Sequence, residues 1–336
     1  MTRYSRQERF APIGPEGQRR IGAARVLLVG CGALGTHLAE FCVRAGVQSL
    51  RIVDRDFVEP SNLQRQGLFT EEDAARALPK AVAAAARLRA VNSEVRIEPV
   101  VEDFTHRNAL RLAEGASLLL DGSDNFEARF LLNDLALSVG VPWVYAACVG
   151  SRAMCMPVLP GRSACLRCML EDTPAAGGES CDSAGIIMPA VLQAVTWAGI
   201  VALKIISGNA QALFNKLMTV DLWTGERTAL DSATPRPDCP ACGARKLEWL
   251  EGRRGSRAAA LCGRDSVQIS PQGSVDFVLL RQHAAKAGRV LSENEHLLRV
   301  EVGGLTVTLF RDGRAVVHGT QDESRARAAL ARLLGA

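Results

Sequence analysis

Several things are scarce in this 336-residue chain, and each scarcity closes off a class of function. An excess of one charge is absent: 40 basic side chains stand against 36 acidic ones, a formal net charge of +4. So balanced a chain is not built to hold nucleic acid or an anionic membrane surface. Long apolar runs are absent too. No stretch of about 18 apolar residues, the length a bilayer requires, occurs. The polar start "MTRYSRQERF" has no signal-peptide core, so a cytoplasmic protein is expected. Histidine is sparse. His37, His106, His283, His296 and His318 are scattered, with no Ser/His/Asp arrangement and no histidine metal cluster.

Apolar residues make up 48% of the chain, enough for one large α/β domain and a smaller one. The run Val26–Val29 stops at Gly30, and Gly32 and Gly35 complete G-x-G-x-x-G. Leu34, Leu38, Phe41, Cys42 and Ala45 then recur at helical spacing up to Gly46, and "SLRIVDRD" (49–56) follows as a strand. Further along, 79–91 reads as helix, 95–101 as strand, 107–115 as helix, 117–125 as strand, 128–140 as helix and 142–150 as strand. This alternation predicts a Rossmann-like, doubly wound, mostly parallel sheet. Residues 171–185, rich in Gly, Ser, Pro and acid, predict a mobile loop or lid. Residues 188–208 are apolar round most of a helix and predict a buried core helix. Gln193, Thr196 and Lys204 within it argue against a membrane span. The first domain is expected over 1–250 and a small α+β domain over 258–336, with strands at 266–270, 296–302, 305–311 and 314–318 and helices at 277–287 and 322–334.

A glycine loop lets the backbone approach phosphate, and Asp54, at the end of the next strand, suits ribose hydroxyls. On these features alone a dehydrogenase, an ATP enzyme and an unliganded tight turn all stay open. The following residues shift the balance. Asn62, Arg65 and Gln66 come close behind the ribose position, Lys80 follows "ALP", and Asp124 and Asn125 sit at a strand's C-terminal end. Arg65 and Lys80 can grip phosphate oxygens, and Asp124 can hold Mg²⁺. Nicotinamide chemistry has no use for such a clamp. Reaction at an ATP phosphate does, because an anionic nucleophile must approach an anionic phosphate.

Ten cysteines are present, and in a reducing compartment they read as ligands, a nucleophile and small buried residues rather than disulfides. "CLRC" (Cys165, Cys168) and "CPAC" (Cys239, Cys242) offer the four thiolates of a structural zinc site. Redox-active pairs are the rival reading. Cys181, alone in "ESCDSAG", is a candidate nucleophile. Cys31, Cys42, Cys148, Cys155 and Cys262 read as small buried residues.

Taken in order, "RYSRQ", "VGCGALG", "VDRDFVEPSNLQRQ", "LPKA", "DGSDNFEAR", "CLRC", "SCDSAG" and "CPACG" resemble the MoeB/ThiF/HesA adenylyltransferases, bacterial relatives of ubiquitin-activating enzymes. The resemblance spans residues 3 to about 243. It implies a Rossmann-like fold that binds Mg-ATP rather than NAD, and a reaction in which the Gly-Gly carboxylate of a small β-grasp carrier protein attacks the α-phosphate. It implies Gly30, Gly32, Ala33 and Gly35 as the phosphate loop, Asp54 and Asp56 beside the ribose, and Ser61, Asn62, Arg65 and Gln66 lining the pocket. Arg65 and Lys80 would neutralise phosphates, and Asp124 with Asn125 would position Mg²⁺. Arg6 matches a residue that reaches the triphosphate from a second subunit, which implies a homodimer. Cys181 matches a cysteine that bonds to the carrier in some relatives, which implies onward transfer to a sulfurtransferase or a conjugating enzyme. The C-terminal domain is expected to dock a partner. An NAD-dependent oxidoreductase and a non-catalytic scaffold are the alternatives.

Overall fold

The computed structural model describes residues 3–170, 184–254, 266–269, 275, 277–311 and 313–335. Cys181, Cys262 and most of the expected loop over 171–185 lie outside the described residues. Two compact units are formed. One comprises the described residues up to 254 without 71–78, and the other comprises 71–78 with those from 266 onward.

The first unit is built on a sheet of eight strands: β1 (Arg25–Val29), β2 (Ser49–Val53), β3 (Arg96–Val100), β4 (Leu118–Asp121), β5 (Trp143–Val149), β6 (Arg152–Val158), β7 (Lys216–Asp221) and β8 (Arg227–Asp231). Their order is β3-β2-β1-β4-β5-β6-β7-β8. The β3-to-β5 half is parallel, and β6, β7 and β8 are added antiparallel. The parallel half is why its strands read as unbroken apolar runs: Leu118, Leu119 and Leu120 of β4 are fully buried. The added strands lack that signature. β8 is exposed at every position, and β6 carries Pro157, so neither stood out in the sequence.

Short helices open the chain, α1 (Ser5–Glu8) and α2 (Gly14–Ile21), followed by α3 (Ala33–Ala45). Of the residues whose spacing predicted it, helix α3 buries Leu34, Leu38, Cys42 and Ala45 and half-buries Phe41, and it ends on Gly46 in the left-handed region at φ +84°. Next come α4 (Glu71–Ala75), α5 (Lys80–Val91), α6 (Ala109–Leu112) and α7 (Phe126–Val139). Beyond α8 (Leu166–Met169), the long α9 (Met188–Ile206) corresponds to the expected core helix. Against the expectation that no run of spanning length occurs, it could cross a membrane by length and composition alone, but half of it is buried. It packs on α3, β5 and β6, and Gly199 leaves room for the Phe41 ring. Leu192, Thr196 and Ile200 keep one stripe exposed, so α9 is less enclosed than its composition suggests.

The second unit is a five-stranded antiparallel sheet, in the order β10-β11-β12-β13-β9, with helices α10 (Phe277–Ala287) and α11 (Glu323–Leu334). Its strands are β9 (Ser266–Ile269), β10 (Arg289–Glu293), β11 (Leu297–Val302), β12 (Leu305–Phe310) and β13 (Ala315–His318). Leu298, Val300, Val307, Leu309 and Val317 form a core with Leu280, Ala284, Ala326 and Leu333 of the helices. Strand β10 was not anticipated. Its only partly buried residue is Ser292, so it shows no apolar alternation.

Candidate active site

Strand order places the site. Between β1 and β4 the winding reverses, and the loops after their C-terminal ends diverge to leave a crevice. Val29 pairs with Asp121, so Gly30 and Gly122 leave the sheet side by side. Each of the three loop glycines has its own reason. Gly30 has φ +89°, and a Cβ there would lie 2.5 Å from Gly122 O. A Cβ on Gly35 would lie 2.0 Å from Gly30 O. At Gly32 the nearest atom to such a Cβ is Gln66 Nε2, at 3.9 Å. The first and third glycines close the turn, and the second leaves an open cradle at the start of α3, where the helix favours an anion.

Three of the predicted residues, Asp54, Gln66 and Lys80, lie at this cradle. Asp54 accepts the N–H of Cys31 (2.6 Å) on one oxygen and of Asp56 (2.7 Å) on the other, so it braces the loop itself. Burial pushes its carboxyl above the usual range, against the pull of the Lys80 ammonium. Each oxygen keeps a second acceptor position for a sugar hydroxyl. Lys80 opens α5. Its N–H donates to Asp56 O (2.8 Å), and its Nζ lies 3.3 Å from Asp56 Oδ2 with only 5% of the side chain exposed. Arg65 donates to Ser61 O (2.9 Å), Asn62 is buried and holds Glu59 N–H (3.0 Å), and Ser61 is exposed. Gln66 is 4% exposed, and its Oε1 has no hydrogen-bond partner. A buried carbonyl oxygen left without a donor, on a side chain whose Nε2 edges an open glycine cradle, fits a polar ligand there.

Asp124 and Asn125 divide their work. Asn125 Oδ1 accepts Ala128 N–H (2.9 Å) and caps α7, while Asp124 presents an exposed carboxylate in the turn. Beneath them lies a pair that sequence reasoning missed. Arg129 Nε donates to Asp121 Oδ2 (3.2 Å) and Nη2 to Ser123 O (3.0 Å), and its guanidinium rests over Phe126 and Tyr145. Asp121 also accepts Ser123 Oγ (2.6 Å). The signal was available: Asp121 ends an apolar strand and Arg129 interrupts an apolar helix face. Breaking this buried pair by Arg129→Met should cost about 3 kcal/mol, because it strands the Asp121 charge. Denaturant unfolding should show that Asp121→Asn in the same chain recovers much of the loss.

The thiols of Cys165, Cys168, Cys239 and Cys242 all lie within 4.8 Å of one another. Measured pairs are 3.9, 3.6 and 3.4 Å. Four sulfurs at about 2.3 Å from one zinc ion would stand about 3.8 Å apart, so the cluster fits zinc and leaves no open position for catalysis. It packs along α7. Asn133 holds Leu166 N–H (2.8 Å), Asp134 holds Trp249 N–H (2.9 Å), and Arg245 reaches Leu137 O (3.0 Å). Burial pushes the Asp134 carboxyl up to about 6, although the Trp249 and Leu250 amides pull it down. A raised acid holds its proton more tightly in the native state, so this contribution to stability is present at low pH and lost as pH rises through about 6. Asp134→Asn keeps an acceptor oxygen and should remove the slope. Between pH 5 and 7, melting curves of the parent should lose about 1 kcal/mol relative to the variant.

Arg6 is not at its own chain's crevice. Its neighbour Gln7 donates to Ala45 O (3.2 Å), at the C-terminal end of α3. The phosphate cradle is at the other end of that 13-residue helix, about 20 Å away. Cys31, Cys42, Cys148 and Cys155 are buried, as expected.

An open, mixed α/β sheet with a glycine cradle at its switch point, a buried lysine close to it and a four-cysteine cluster that fits a structural metal marks the class of Rossmann-like nucleotide-binding folds. Residues 4–241 match the ThiF family, and the chain belongs to it. It is 44% identical over 336 residues to the sulfur carrier protein ThiS adenylyltransferase of Bacillus subtilis, covering 99% of each chain. It is 38% identical over 251 residues to the sulfur carrier protein adenylyltransferase of Thermus thermophilus, covering 72% of this chain and 91% of that one. The crystal structure of E. coli MccB superposes with a TM-score of 0.64 at 21% identity, over 72% of each chain, and shares the fold.

Proposed function

We propose that this protein activates the C-terminal Gly-Gly carboxylate of a small ubiquitin-like carrier of the ThiS/MoaD type, using Mg-ATP. The observation that carries the reading is the open cradle at Gly32, with Gln66 at its edge and the Lys80 ammonium acting on the neighbouring Cys31 and Asp54. The full-length match to a ThiS adenylyltransferase supports the same substrate class. A carboxylate oxygen attacks the α-phosphorus, the bond from that phosphorus to the bridging oxygen breaks, and pyrophosphate leaves with the electron pair. The carboxylate is already ionised at neutral pH, so no general base is needed, and catalysis consists of positioning and charge neutralisation. Lys80 and Arg65 offset the phosphate charge, and the amides of the cradle orient the chain of phosphates. Asp124 would hold Mg²⁺, which supplies further neutralisation. Incubated with Mg-ATP, the protein should release pyrophosphate only when a β-grasp protein ending in Gly-Gly is present. Release driven by a tail-less partner would refute the substrate assignment. Heat protection by NAD but not by Mg-ATP would favour the oxidoreductase instead.

Arg6, at the wrong end of α3 for its own cradle, supports a homodimer in which it serves the partner's site. Arg6→Ala and Lys80→Ala protein, each inactive alone, should regain roughly a quarter of the parent rate when refolded together, since half the dimers then hold one intact site. No recovery would place Arg6 outside the site. Cys181 is the proposed capture residue. Its thiolate would attack the acyl-adenylate carbonyl and release AMP, and the thioester would pass to a sulfurtransferase or a conjugating enzyme. Intact mass of the carrier adduct, compared with Cys181→Ala, tests this step.

A further inference from the structure

The other end of the first unit's sheet carries a cationic cavity that the reaction does not use. Strand register puts Arg25, Ser49 and Arg96 in one row across β1, β2 and β3. Leu27, Arg51 and Glu98 form the row two residues on, and so share the same face. Helix α6 is four residues long, and Arg51 Nη1 donates to its Leu112 O. Between this short helix and the first residues of the three strands lies a cavity of about 160 Å³, lined by Arg25, Arg51, Arg96, Glu98 and Glu114. A second cavity, of about 180 Å³, is lined by Arg25, Gln48, Ser49 and Arg96. Arg25 opens β1 and Gly30 follows its last residue, so the phosphate cradle is about 16 Å away.

The charges of the larger cavity are incompletely paired. Arg51 Nη2 lies 3.0 Å from Glu98 Oε2, while Arg51 Nε is buried with no hydrogen-bond partner. Arg25 and Arg96 pair with no carboxylate among the described residues. The Arg25 guanidinium is nonetheless seated: Gly115, at φ +72°, leaves room for it, and a Cβ there would lie 3.0 Å from Arg25 Nη1. Glu114 is the one group on this wall that opposes an anion without an arginine partner. We propose that this cavity is a second anion site, separate from the nucleotide cradle, that takes inorganic phosphate or a tetrahedral oxyanion of its size. Guanidinium donors suit phosphate oxygens, and Ser49 adds a hydroxyl within the same row. Size limits the ligand. An apolar cavity of about 150 Å³ holds benzene, with six heavy atoms, so this one takes the five of phosphate but does not enclose a nucleotide.

The test titrates inorganic phosphate into full-length protein saturated with Mg-ATP, at constant ionic strength, and reads binding by calorimetry. One phosphate should bind per chain with a Kd of about 1 mM or tighter. Arg25→Gln/Arg96→Gln should weaken binding at least roughly tenfold. Arg51→Lys keeps the charge but loses the buried Nε donor, and it should also weaken binding. Glu114→Gln should tighten it, by up to about fivefold. Arg227→Gln, which removes an exposed arginine on β8, should leave it unchanged. If Arg51→Lys fails to fold, the double variant decides, since Arg25 and Arg96 are both exposed. No phosphate binding, parent-like binding by the double variant, an equal loss in Arg227→Gln, or displacement by equimolar acetate would each overturn the proposal.

Discussion

Replacing Lys80 with alanine is expected to slow carrier-dependent pyrophosphate release by about 10²- to 10³-fold, the usual cost of losing one preorganised charge from a low-dielectric site. The side chain is nearly buried, and its ammonium is paired with Asp56, so it is held in place before any nucleotide arrives. Deleting it does more than remove attraction. Asp56 then keeps Arg55 Nε at 3.8 Å but loses the ammonium at 3.3 Å, and the added negative charge opposes the phosphate proposed to bind there. Lys80→Ala/Asp56→Ala should therefore be faster than Lys80→Ala alone. The loss should fall mainly on kcat, because negative charge grows on the departing pyrophosphate. Arg65→Ala and Asp124→Ala are expected to lose several kcal/mol of transition-state stabilisation in the same way. Steady-state pyrophosphate assays on folded variants check all of these, and a Lys80→Ala protein with the parent rate would remove the basis of the mechanism.

Stripping the metal from the four-cysteine cluster is expected to have the largest effect on stability. The two cysteine pairs are some seventy residues apart, so one ion would tie distant segments into a single core. That core includes Trp249 stacked on Phe130 with centroids 5.3 Å apart, and Asp134 bonded to the Trp249 amide. Elemental analysis should find one zinc per chain. Cys239→Ser/Cys242→Ser protein, or chelator-treated parent, should lose several kcal/mol, with the Trp249–Phe130 stack opening early and reported by tryptophan fluorescence. Metal-free protein that melts and turns over like the parent would show that the thiols only pack.

Much of the site was legible in the residues because its parts are local. The glycine loop announces itself through backbone needs met within six positions, and each cysteine pair lies within four residues. The parallel strands were legible because burial on both faces leaves uninterrupted apolar runs. The strands added beyond β5 were not. β8, exposed at every position, owes its existence to hydrogen bonds with β7 rather than to any pattern of its own. Roles that depend on a partner far along the chain were equally hidden. Asp54 bracing Cys31, Asn125 spending its oxygen on a helix cap and Arg129 neutralising Asp121 each require knowing what stands beside them.

By itself the amino-acid order determined the class of candidate site: a glycine loop, an arginine and a lysine, a turn carboxylate and four thiols, each recognisable from residue type and short spacing. Tertiary structure decided which groups meet. It turned Asp54 inward, set Arg6 at the far end of α3 and enrolled residues 71–78 in the second unit. The reason is physical: spacing constrains neighbours within a turn or a strand, whereas contacts across hundreds of residues are settled only when the whole core packs.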